Sequence, residues 1–113
     1  MPEGPEVKIA SDYFNNLFSS SKKIEFEIIS EYYHQKYSNV FNTISSHLDT
    51  FKPTFTIGKN IFLELTKNQL FNFHLGMTGG WKKEKIKHCH FRVFDNKNEI
   101  FFSDVRKFGN MKI

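Results

Sequence analysis

The residues whose types suggest chemistry first stand at the start of the chain, Met1-Pro2-Glu3-Gly4-Pro5-Glu6. Pro2 is small enough behind Met1 for the initiator methionine to be removed, which leaves a free secondary amine on a rigid ring. An α-amino group ordinarily titrates at roughly 7.7–8.0 against about 10.4 for a lysine side chain, so far more of it is unprotonated at neutral pH. It is therefore a nucleophile that needs no buried lysine. A secondary amine attacking a sugar aldehyde carbon gives an iminium that cannot shed a nitrogen proton, so the positive charge persists, acidifies the neighbouring carbon and favours elimination. Glu3 supplies a carboxyl beside it for proton transfer. The same two residues read equally well as an ordinary second residue and a helix-entry acid.

Further along, Ile57-Gly58-Lys59 offers a cation after a turn glycine, suited to reach a phosphate or simply to lie on the surface. A lysine near the N-terminal amine would also lower its proton affinity by like-charge repulsion. His74-Leu75-Gly76-Met77-Thr78-Gly79 sets an unbranched thioether between glycines, and Ser103-Asp104-Val105-Arg106-Lys107-Phe108-Gly109 sets a cation pair and an aromatic before another. Met77 and Phe108 are read as core residues or as apolar groups presented on tight loops. Lys87-His88-Cys89-His90 would place two imidazoles on one strand face, the start of a metal site, but sequence places no third ligand near them.

These residues must be positioned by short elements. Val7, Ile9-Ala10, Tyr13-Phe14 and Leu17-Phe18 recur at helical spacing behind Pro5 and Glu6, which predicts a helix from about Pro5 to Phe18. Ile24, Phe26 and Ile28 alternate with acids, a strand that could run on to Tyr33, and Val40 to Leu48 reads as a short second helix. Strands are expected at 54–57, 60–65, 69–74, 90–94, 99–103 and 108–113, with tight reversals at Asn68 and at Asp95-Asn96-Lys97-Asn98. Lys82 to Lys87 is expected as an exposed loop. The fold class is α+β: mainly an antiparallel β-sandwich with an N-terminal helix and a short second helix.

Composition narrows the function classes. At 113 residues the chain is read as one domain, 1–113. No apolar run is long enough for a membrane span, and the start lacks the features of a signal peptide, so an intracellular, soluble protein with no membrane partner is expected. A single cysteine, Cys89, excludes an internal disulfide and a cysteine-rich zinc site within the chain. Net charge is +4, but it is unevenly spread. Residues 1–51 carry four Lys against seven acids, and residues 52–113 carry twelve Lys and Arg against five acids. The second part is where a polyanion would bind.

Taken together, PEGPEV at 2–7, Ile57-Gly58-Lys59, HLGMTG at 74–79, KHCH at 87–90 and SDVRKFG at 103–109 occur in the order and approximate spacing of one family. The sequence resembles the N-terminal domain of the formamidopyrimidine-DNA glycosylase and endonuclease VIII (Fpg/Nei) family of base-excision repair enzymes. The resemblance runs nearly end to end and implies a glycosylase with AP lyase activity acting on oxidised bases in damaged double-stranded DNA. By that resemblance Pro2 is the nucleophile at C1′ and forms the Schiff base, Glu3 is the proton donor, and Lys59 is associated with β-elimination. Met77, Arg106 and Phe108 fill the gap left by a flipped nucleotide, with Arg106 facing the orphaned base. His88 is a DNA-contacting histidine, and His74 and Lys107 are candidate phosphate contacts. Two departures stand out: Cys89 replaces an acid common in the family, and Lys107 replaces an arginine, keeping charge but losing bidentate geometry.

Relatives carry a second domain with a helix-two-turns-helix unit and a zinc or zincless finger, which these 113 residues do not supply, so no cofactor or metal site is expected here. Three readings follow: an enzyme, one half of a split enzyme completed by a separate polypeptide with the missing domain, or a non-catalytic remnant that binds DNA.

Overall fold

The computed structural model describes residues 4–19, 23–47, 53–65, 69–76, 79–105 and 109–113. Among them are two helices and eight strands: α1 (Gly4–Phe18), β1 (Glu25–Ile28), α2 (Glu31–His47), β2 (Phe55–Ile57), β3 (Asn60–Glu64), β4 (Leu70–His74), β5 (Gly80–Lys82), β6 (Cys89–Phe94), β7 (Glu99–Ser103) and β8 (Asn110–Lys112). The strands form two antiparallel four-stranded sheets, ordered β1-β6-β7-β5 and β2-β3-β4-β8. The α+β class and the antiparallel sandwich expected from sequence are what the chain adopts.

Alternation along the strands supplies the core. Ile61 and Leu63 of β3, Phe71 and Phe73 of β4 and Met111 of β8 are buried from one sheet, and Phe91, Val93, Ile100 and Phe102 from the other. Aromatic rings bridge the layers: Phe73 meets Trp81 edge-on at 5.8 Å and Phe26 meets Phe71 at 5.9 Å. Such offset and edge-to-face pairs add to what area burial alone contributes.

Each helix lies against an edge strand of both sheets. α1 packs on β2 and β3 and, through Phe14 and Trp81 at 5.5 Å, on β5. α2 packs on β1 and β6 and on β8. The helices thereby cover edges that would otherwise invite further strand pairing. α1 is also pinned by partly buried polar contacts: the Thr54 N–H donates to Asn15 Oδ1 at 2.7 Å, and Asn15 Nδ2 returns a bond to the Thr54 carbonyl at 3.0 Å.

Two elements differ from the sequence expectation in extent, and a third is new. The second helix is not short: it has 17 residues and starts at Glu31, so the strand before it stops at Ile28 instead of reaching Tyr33. Ser30 explains the switch, since its hydroxyl oxygen accepts the Tyr33 N–H at 3.2 Å as an N-cap. Tyr33, Tyr37, Phe41 and Ile44 then fall on one buried helical face, although tyrosine and phenylalanine by type favour a strand. Strand β5 has no counterpart in the sequence pattern; Gly80-Trp81-Lys82 has one apolar residue and no alternation to reveal it, and only pairing with β7 defines it. The Asp95–Asn98 reversal is as expected: Asp95 Oδ1 accepts the Lys97 and Asn98 N–H groups, at 2.8 and 2.6 Å. Asn68 lies outside the described residues.

Candidate nucleic-acid interface

Strand register decides which residues share an end of the sandwich. In one sheet Asn60 pairs with His74, and His74 pairs with Asn110. Lys59, in the turn before Asn60, the last residue of β4 and the first of β8 are therefore neighbours. In the other sheet Ser103 pairs with both Gly80 and Cys89. Two crossovers join these ends, residues 75–79 from β4 to β5 and residues 104–109 from β7 to β8. The turn with Lys59, His74, His88 and the described ends of both crossovers thus occupy one end of the molecule.

The start of α1 joins them. A cleft of about 360 Å³ is lined by Glu6, Ile9, Ala10 and Tyr13 of α1 and by Leu75, Gly79, Gly80, Trp81 and Lys83 across from it. The far end of α1 instead meets the opposite hairpin, where Asn98 Nδ2 donates to the Leu17 carbonyl at 3.2 Å. α1 therefore runs the length of the sandwich, with its first turn at the crossover end.

Of the residues singled out in the sequence, Lys59 is half-buried and follows Gly58, whose φ of 60° needs a glycine or a strained side chain. His74 is half-buried at the end of β4, and its Nδ1 accepts the Gly76 N–H at 2.9 Å, so the ring carries its proton on Nε2 when neutral. His88 is exposed, with φ of 75°, the one non-glycine residue at positive φ among the described residues. Such a conformation is uncommon for a side-chain-bearing residue and often marks a functional position. Pro2, Glu3, Met77, Arg106, Lys107 and Phe108 lie outside the described residues.

His88 and His90 do not pair as metal ligands. A bulge between Cys89 and Phe91 lets Cys89, His90 and Phe91 all be buried in succession, so His90 points inward while His88 stays exposed. The His90 ring is stacked on Tyr33 at 4.5 Å. Its Nε2 lies 2.9 Å from the Asp104 carbonyl and its Nδ1 2.8 Å from the Ser30 hydroxyl. A carbonyl only accepts, so Nε2 donates; in the neutral ring Nδ1 then accepts from Ser30. Both nitrogens are engaged within the protein. Among the described residues no group of three or more His, Cys, Asp or Glu is arranged to hold a metal ion.

The residues that sequence reasoning misses are polar and buried. Asp104 has no solvent exposure, and its Oδ2 accepts the Gly109 N–H at 2.7 Å. Burial, with the Tyr37 hydroxyl and the Asp104 carboxylate as further causes, pushes the Tyr33 hydroxyl well above its usual pKa. Gly79 and Gly109, one in each crossover, are required by the protein's own packing. A Cβ at Gly79 would overlap the Leu75 carbonyl oxygen, and one at Gly109 would come 2.9 Å from Asp104 Oδ2 and 3.1 Å from the His74 carbonyl oxygen. An Asp five residues before a Gly is the available sequence signal for this closure.

The family model described as the formamidopyrimidine-DNA glycosylase N-terminal domain matches residues 1–111. The chain belongs to this family. It is 27% identical over 120 residues to a formamidopyrimidine-DNA glycosylase of Mycoplasmopsis pulmonis (strain UAB CTIP), covering 100% of the present chain and 43% of that relative. The fold matches MutM in complex with DNA containing carbocyclic 8-oxo-G, with a TM-score of 0.80 at 23% identity over 97% of this chain and 43% of that one. It also matches the Lactococcus lactis Fpg bound to DNA with an abasic site, with a TM-score of 0.78 at 21% identity over 97% and 42% of the two chains. The chain thus spans less than half the length of these relatives. No helix among the described residues is long and apolar enough to cross a membrane.

Proposed function

We propose that this chain is the catalytic N-terminal domain of a base-excision DNA glycosylase with AP lyase activity. The observation that carries the reading is the family match over residues 1–111, which takes in every motif segment, with Lys59, His74, His88 and the first turn of α1 at one end of the fold. In this reading the Pro2 amine attacks C1′ of the damaged nucleotide as the base leaves, and Glu3 supplies protons for base departure and ring opening. The iminium formed cannot become a neutral imine, so it withdraws electrons from C2′. Loss of the C2′ proton expels the 3′ phosphate, and Lys59 stabilises that departing charge. Met77, Arg106 and Phe108 occupy the space vacated by the flipped nucleotide, offsetting part of an unstacking cost of about a few kcal/mol. His74, His88 and Lys107 hold the phosphate backbone, and a lysine at 107 does so as a point charge.

Borohydride trapping on an abasic-site duplex tests this. The expected result is a covalent adduct that maps to the peptide beginning at Pro2, with Met1 removed, and that is lost in Pro2→Gly. A folded chain with a free Pro2 amine that gives no adduct overturns the enzymatic reading. Binding to abasic duplex without an adduct would leave a DNA-binding module.

A further inference from the structure

Two described segments, the one that carries His88 and His90 and the one that begins at Gly109, meet at one buried residue. Asp104 is tied in at least three directions. Its N–H donates to the His88 carbonyl at 3.1 Å, its carbonyl accepts from His90 Nε2 at 2.9 Å, and its carboxylate accepts the Gly109 N–H at 2.7 Å. The first bond fixes the backbone of His88, the residue at positive φ. The third holds the Gly109 backbone against the Asp104 side chain, five residues apart in sequence. Gly109 sits so tightly that an added Cβ would press on both the Asp104 carboxylate and the His74 carbonyl. Tyr37 reaches the same point from α2, its hydroxyl donating to the Gly109 carbonyl at 3.4 Å. His90 in turn is held by Ser30, whose oxygen caps α2.

We infer that Asp104 is a positioning residue for the DNA-contacting surface, tying the His88 segment and Gly109 together beside His74. This rests on the reading that this end of the fold engages damaged DNA. The physical case is independent of it. A carboxylate with no solvent exposure is costly to bury, and its hydrogen bonds must compensate. A backbone N–H bonded to an ionised acceptor is held more tightly than one bonded to a neutral group. Backbone that contacts DNA gains affinity by being held in place before binding, since ordering it afterwards draws on the binding free energy.

The test combines two readouts on the full chain. In the wild type, the Gly109 amide is expected to exchange with deuterium at least tenfold more slowly than the amide of exposed Asn96; exchange at the same rate overturns the clamp, with no variant needed. In Asp104→Ala that protection is lost, and the affinity for an abasic-analogue duplex falls at least tenfold toward that for intact duplex. Asp104→Asn, which keeps an acceptor oxygen, is expected to restore most of both. A folded Asp104→Ala chain that keeps its preference for abasic duplex overturns the positioning role, as does Asp104→Asn failing to rescue either readout. A wild-type chain with a protected Gly109 amide but no preference for abasic duplex counts against the DNA reading and leaves the clamp standing.

Discussion

The two ends of the sandwich are built on different principles. At the hairpin end, β6 and β7 are joined by Asp95 to Asn98, a reversal closed by local bonds. Asp95 Oδ1 accepts the Lys97 and Asn98 N–H groups, and the Asp95 N–H donates to the Asn98 carbonyl at 2.9 Å. At the crossover end, the short-range Asp104–Gly109 bond is backed by bonds that span large sequence distances: Ser30 to His90, His90 to Asp104, Tyr37 to Gly109. The turn bonds of the first kind lie within their own four residues, with Asn98 Nδ2 reaching out to the Leu17 carbonyl. The second needs the whole fold to be in place, and it commits buried polar groups to hold irregular backbone. Surfaces that carry function are commonly loops held by a rigid scaffold. Here the scaffold's own polar interior reaches into those loops.

The largest effect expected from breaking this contrast is at Gly79. Gly79→Ala forces a Cβ into the Leu75 carbonyl oxygen and toward the Phe102 ring, and overpacking of this kind costs about 1–3 kcal/mol. A value near the top of that range is expected in urea melts, together with loss of binding to abasic duplex. Ser30→Ala removes both the N-cap of α2 and the donor to His90 Nδ1, so a loss of about 2 kcal/mol is expected, with weakened DNA binding through the displaced His90 and Asp104. Asp95→Ala at the other end is expected to cost about 1 kcal/mol by the same melts and to leave DNA affinity unchanged. If Ser30→Ala and Asp95→Ala affected DNA binding equally, the two ends would not differ in function.

The same contrast explains what is legible in the sequence. The Asp95 turn, the helical stripe of α1, the alternation of β3 and β4 and the apolar runs of β6 and β7 are local patterns, and each appears close to its expected place. The start of α2 is hidden because Tyr32 and Tyr33 resemble strand residues, while the deciding signal, Ser30 as a cap, is a single polar side chain. β5 is hidden because Trp81 stands alone between a glycine and lysines. At the candidate interface, residue types and order single out Lys59, His74 and His88, but spacing along the chain cannot reveal that they share an end; register does. His90 pairs with His88 as a potential ligand only if i and i+2 share a strand face, and the bulge at that point removes the premise. Asp104 and Gly109 belong to a motif whose cations and aromatic carry the evident chemistry, whereas the buried bond between its acid and last glycine is a property of the folded loop.

Salt-dependent binding to an abasic-site duplex tests most directly whether the crossover end is the DNA face, because each phosphate contact contributes about −0.9 to the slope of log affinity against log salt. Lys59→Ala removes a charge at that end, and Lys97→Ala removes one from the hairpin end, where Lys97 is exposed. The expected result is that Lys59→Ala makes the slope shallower by about one contact while Lys97→Ala leaves it at the wild-type value. Equal slopes for the two variants, or a shallower slope for Lys97→Ala alone, would contradict the placement of DNA at the crossover end.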